Sequence, residues 1–251
     1  MLPWQMCLLT DRISGYTGCM TTRVLVCDKV FPAAVLLTSE LRRLDIPVAL
    51  ASSVSANAES AEGFAEVRWD RLSSLSARAA VREAQNALGS IDQAVFFFDG
   101  PLLQAQFPAG KEDPQSVFDS WVSGYMSMVR HCLTAFDGSG RLVFVHSPFP
   151  DSTRGLHPVR EGASPSPFPG MTSVALSLAE SAFIRLAEET AAFLAIKEGR
   201  AARSLLVSVS EDNSPEALAA LASRIAEPYE GKRNPVRWIK PLNRPLFQLK
   251  S

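Results

Sequence analysis

Residues 23–52, RVLVCDKVFPAAVLLTSELRRLDIPVALAS, decide the fold. The run 24–27 (VLVC) is wholly apolar, and so is 48–51 (VALA). Short unbroken apolar runs are the pattern of strands covered on both faces. Between them, residues 33–44 put Ala33, Leu36, Leu37, Leu41 and Leu44 on one face and Glu40, Arg42 and Arg43 on the other, which is the helical period. A buried strand, an amphipathic helix and a second buried strand imply a parallel pair joined by a crossover helix.

The same alternation continues to the end of the chain. Further strands are predicted at 63–69, 94–98, 142–146, 204–208 and 236–240, and further helices at 75–88, 116–135, 173–197 and 215–226. The last helix has Ser214 as its N-cap and Pro215 at its first position. This order predicts an α/β fold: a Rossmann-like, doubly wound parallel sheet of about seven strands flanked by helices, forming a single domain over 20–251. Residues 1–19 lack periodicity and a signal-peptide pattern. They are read as an extension, with Met20 a candidate natural start. Residues 147–170 hold six prolines and no periodic face, so a long irregular loop is expected after the strand at 142–146.

Composition narrows the function. The 251 residues are 47% apolar and 20% charged, and 25 Lys+Arg oppose 26 Asp+Glu. There is no basic field for nucleic acid and no apolar run of membrane-spanning length, so a cytoplasmic protein is expected. Cys7, Cys19, Cys27 and Cys132 lack zinc or disulfide spacing and are read as free thiols. His131, His146 and His157 show no metal-ligand pattern. His146 and Ser147 are adjacent on a strand end, so their side chains point to opposite faces and form no nucleophile–base pair.

Laid end to end, these elements resemble the short-chain dehydrogenase/reductase superfamily from Arg23 to the C-terminus. Residues 23–52 match its first strand, turn, helix and second strand. ALGSIDQAVFFFDG (87–100) resembles the passage into its fourth strand, and SGRLVFVHS (139–147) the fifth strand, which ends in the catalytic serine. ESAFIRLAEETAAFLA (180–195) resembles the long helix after the catalytic lysine.

The functional positions depart from that pattern. The family's glycine-rich turn falls on Asp28, Pro32 and Ala34. Those glycines let backbone N–H groups face a pyrophosphate, whereas Asp28 sets a carboxylate beside it and Pro32 has no N–H. Lys29 and Asp70 are read as solvated turn residues. The Tyr-x-x-x-Lys pair falls on Leu176 and Glu180. Leucine moves no proton, and a glutamate raises a neighbouring phenol's pKa where lysine lowers it. The assisting asparagine falls near Tyr125, the Asn-Asn-Ala-Gly run falls on 96–100, and Ser147 alone stands where the catalytic serine belongs. Only residues 209–213 separate the sixth strand from the last helix, too few for the family's substrate lid.

Family members assemble through their fourth and fifth long helices, which here carry Trp121, Tyr125, Met128, Leu176, Phe183 and Leu186 at helical spacing. The resemblance therefore implies a pseudoenzyme subunit without a cofactor of its own, paired in a hetero-oligomer, expected to be a tetramer, with a competent paralogue that binds NAD(P). The non-catalytic subunit of the hydroxyacyl-CoA dehydrogenase of benzylsuccinate degradation is similar in kind. The alternatives are a ligand-binding or regulatory module, and an oxidoreductase with a non-standard site around Asp99, Tyr125, Ser147 and the loop 154–160.

Overall fold

Strands without a polar face must be covered on both sides, and that is the state of β1 (Val24–Cys27), β2 (Val48–Ser52), β4 (Gln93–Asp99) and β5 (Arg141–Ser147), each buried along its whole length. In the computed structural model, which describes residues 22–53, 64–106, 114–136, 140–149, 171–196, 203–209, 214–227 and 238–241, these strands join β3 (Ala65–Arg68), β6 (Arg203–Ser208) and β7 (Trp238–Ile239) in one sheet. The order is β3-β2-β1-β4-β5-β6-β7, and every pairing is parallel. Crossovers from β1 run one way to β2 and β3 and then the other way to β4. A crevice consequently opens at the carboxyl ends of β1 and β4.

The helices start where local chemistry allows. Pro32 opens α1 (Pro32–Arg43), where its missing N–H costs nothing. Ser73 Oγ accepts from Ser76 N at 3.2 Å to cap α2 (Ser74–Leu88), and Gly89 closes that helix at φ 84°. Ser214 caps α7 (Pro215–Ala226) by accepting from Ala217 N, as its sequence predicts. A short α3 (Gly100–Gln106) leaves β4 directly, with Leu102 N donating to Asp99 Oδ1 at 3.1 Å. Its seven residues are too few to show a period, and the sequence did not disclose it.

The helix expected at 116–135 is built in three pieces: α4 (Pro114–Phe118), a π-turn (Asp119–Ser123) and α5 (Gly124–Ala135). α6 (Met171–Ile196) covers nearly all of the span predicted at 173–197. α1 packs on α7, α2 on α5, and α4 on α6. Of the expected final strand, Trp238–Ile239 is described as strand and residues 236 and 237 lie outside the described residues, as do 1–21, 150–170 and 210–213. No helix among the described residues is long and apolar enough to cross a membrane.

Candidate functional site

The crevice begins where β1 stops. Asp28, the next residue, is fully buried. Its carboxylate accepts from Val30 N at 3.1 Å and from Arg71 Nε at 2.8 Å. Three more of the turn's N–H groups are engaged: Lys29 N donates to the Ala51 carbonyl at 2.8 Å, Phe31 N to that of Asp28 at 3.2 Å, and Ala34 N to that of Phe31 at 2.9 Å. A phosphate-binding turn leaves such groups open to its ligand. Here the protein's own carboxylate and carbonyls take them, and Pro32 supplies none. Phe31 is buried and packs 5.3 Å from Trp121 and 6.5 Å from Phe97, ring centre to ring centre. The turn's backbone therefore leaves a pyrophosphate few donors, Phe31 and the ion pair fill the space beside it, and no step through a dinucleotide follows from these residues.

Arg71 sits at the centre of this arrangement. It stands in the connection from β3 to α2 and is 7% exposed. Its guanidinium carbon lies 3.4 Å from the centre of the Trp121 ring, 5.1 Å from those of Trp69 and Tyr125, and 5.7 Å from that of Phe31. Burying a cation is tolerable only with a counter-charge, and Asp28 provides it. Four aromatic faces add cation–π attraction, worth up to about 2 kcal/mol each when desolvated. Gly124 permits the closure: a Cβ there would lie 2.8 Å from the Arg71 carbonyl oxygen. Arg71 Nη1 and the indole N–H groups of Trp69 and Trp121 are buried and make no hydrogen bond among the described residues.

Tyr125, expected near an assisting position, is fully buried, and its hydroxyl donates to the Phe97 carbonyl. Burial pushes that hydroxyl well above the ordinary phenol range. It is a fixed donor, unsuited to exchanging protons near neutrality. Burial likewise raises the thiols of Cys27 and Cys132, the latter to about 12. Lys29 does not stay free in the turn, because it pairs with Glu66. Asp70 is exposed and accepts from Leu72 N at 3.0 Å, as a turn aspartate should.

At the end of β5, His146 Nε2 lies 2.9 Å from Glu180 Oε1, which also accepts from Phe149 N at 3.2 Å. Glu180 is 7% exposed and so acts as a tie between α6 and the strand end. Leu176, one turn earlier on α6, is buried. Ser147 is buried beside Asp99 in the β4–β5 register, and its hydroxyl makes no hydrogen bond among the described residues. His146 turns to Glu180 and not to Ser147, in keeping with strand alternation. Of the alternative site, the Tyr125 hydroxyl is committed to the Phe97 carbonyl, and residues 154–160 lie outside the described residues. No group of three metal-ligating side chains occurs among the described residues.

The short-chain dehydrogenase/reductase of Serratia marcescens superposes with a TM-score of 0.60 over 87% of this chain and 95% of its own, at 14% identity. The NADH-dependent enoyl-[acyl-carrier-protein] reductase of Aquifex aeolicus superposes with a TM-score of 0.62 over 88% and 94%, at 13% identity. A dehydrogenase/reductase of Sinorhizobium meliloti gives 0.60 over 87% and 92%, at 19% identity. The fold is that of the short-chain dehydrogenases. No protein-family model matches the chain. In sequence it is similar to an uncharacterized protein of Treponema pallidum, 26% identical over 249 residues that span 96% of this chain and 99% of the relative.

Most of the residues expected on an assembly surface of α4–α6 face inward instead. Trp121, Tyr125, Met128, Leu176 and Phe183 are buried against the chain's own sheet and aromatic cluster, and Leu186 is half-buried. Helical spacing identifies the apolar face but not which body it meets. The outward faces carry Phe118 and Met126 on α4 and α5, and Val174 and Leu178 on α6. Arg71 was missed altogether. Its one sequence signal is a second cation two residues after Trp69, in the turn leading to α2.

Proposed function

We propose that this chain is a non-catalytic member of the short-chain dehydrogenase/reductase superfamily, which pairs with a competent NAD(P)-binding paralogue to form a hetero-oligomeric dehydrogenase. The observation that carries this reading is the Asp28–Arg71 pair. A carboxylate, a caged guanidinium and Phe31 take up the turn where a pyrophosphate would lie. A cofactor would have to displace a buried ion pair, and breaking such a pair costs about 3–5 kcal/mol. Leu176 and Glu180, at the family's proton-transfer positions, favour the same conclusion, since neither side chain can do what Tyr and Lys do there.

A subunit without chemistry contributes through a surface. Phe118, Met126, Val174 and Leu178 supply exposed apolar area on adjacent helices, of the kind that marks protein contacts. Native mass spectrometry of the complex purified from its source organism tests the proposal. A mixed oligomer carrying one NAD(P) per partner chain supports it. A homo-oligomer would overturn it and turn attention to the ligand-binding or regulatory alternative.

A further inference from the structure

A groove lies at the opposite edge of the sheet from the crevice. Its volume is about 510 Å³, and it runs between the second halves of α2 and α5. Both helices descend from the carboxyl to the amino edge of the sheet, so the groove points away from Asp28 and Arg71. Arg78 and Arg82, one turn apart on α2, and His131 on α5 line one end of it. Both arginines are exposed and make no ion pair among the described residues. The other end is bounded by Gly89, Ser90 and Ala135. There the Gln85 and Cys132 carbonyls accept from the capping N–H groups of Gly89 and Phe136, the carbonyls after them have no donor further along their helices, and Gln85 Nε2 donates to that of Ala135 at 3.3 Å.

The groove therefore has two exposed cationic forks at one end, and at the other the Ala135 carbonyl and the Ser90 hydroxyl, which already accept from Gln85 and Arg23 and keep a lone pair each. Paired arginines match the oxygens of a phosphoryl group bidentately. Helix carbonyls and the Ser90 hydroxyl, which accepts from Arg23, suit a partner rich in O–H donors. A volume of this size lies in the range of small-molecule sites. We infer that this groove binds a phosphorylated polyol, with the phosphoryl group on Arg78 and Arg82 and the hydroxyls towards Gly89 and Ala135. The site is independent of the dinucleotide crevice and of the pairing proposed above.

Isothermal titration calorimetry of the full chain at fixed ionic strength, with ribose 5-phosphate, inorganic phosphate and ribose as probes, tests the inference. Saturable one-to-one binding of ribose 5-phosphate, at least about tenfold tighter than that of ribose and competed by inorganic phosphate, is expected. The double variant R78Q/R82Q should weaken it by at least about tenfold while melting at the wild-type temperature. R185Q, on the exposed face of α6, should bind as the wild type does. Failure of either phosphate species to bind saturably, equal binding of ribose and ribose 5-phosphate, or undiminished binding by R78Q/R82Q would each overturn it.

Discussion

Asp28 and Arg71 lie 43 positions apart and meet at 2.8 Å, with the guanidinium held among four rings. Sequence reasoning gave Asp28 a negative role, the repulsion of phosphate, and the structure adds its positive one as counter-ion to a buried cation. The pairing was illegible because a turn aspartate and a turn arginine carry no mark of each other, whereas the missing glycines were plain. Asp28→Ala strands the guanidinium in a low-dielectric site and should lower stability by about 3–5 kcal/mol in urea unfolding. Combining it with Arg71→Met removes both charges and should restore most of that loss, the difference being read as a double-mutant coupling. The buried thiols give a second expectation. Burial raises Cys27, and Cys132 from 9.0 to about 12, so the native state holds these protons more tightly than the unfolded chain. Their stabilising contribution is complete below pH 9 and is lost as the pH climbs above it, for Cys132 towards 12 at about 1.4 kcal/mol per pH unit. Urea midpoints measured across that window should fall accordingly, and both thiols should resist alkylation until the protein unfolds.

At the scale of elements, the strands of the sheet interior were legible almost to the residue. Runs such as Val24–Cys27 are apolar throughout, and only a strand covered on both faces uses such a run. Less legible was the π-turn at Asp119–Ser123, which departs from the 3.6-residue period within the run read as one helix. It brings Trp121 and Tyr125 together against Arg71 and leaves Gly124 against the Arg71 backbone. Gly124→Val would force its side chain into a carbonyl 2.8 Å away, where overpacking costs about 1–3 kcal/mol. A lowered melting temperature, with the indoles of Trp69 and Trp121 more accessible to acrylamide, is the expected result. Ser73→Ala tests a simpler local rule. Loss of the bond to Ser76 N should cost about 1 kcal/mol, a melting shift unaccompanied by any change at the crevice.

For the whole molecule, the sheet order follows from the alternation of strands and helices, and the crevice follows from the order. What the sequence could not supply was which helix faces remain outside, because apolar residues at helical spacing serve a sheet and a partner equally well. The outward positions are Phe118, Met126, Val174 and Leu178. Charging two of them, as in M126E/L178E, should abolish co-purification with the paralogue while leaving the isolated chain within about 0.5 kcal/mol of wild-type stability. The crevice at the end of β1 is taken up by a carboxylate, a guanidinium and an aromatic ring from the same chain. The most direct test of that occupancy is a calorimetric titration of the purified chain with NADH and NADPH. No saturable heat is expected up to millimolar cofactor. Stoichiometric binding of either one, with the ion pair intact or displaced, would contradict it.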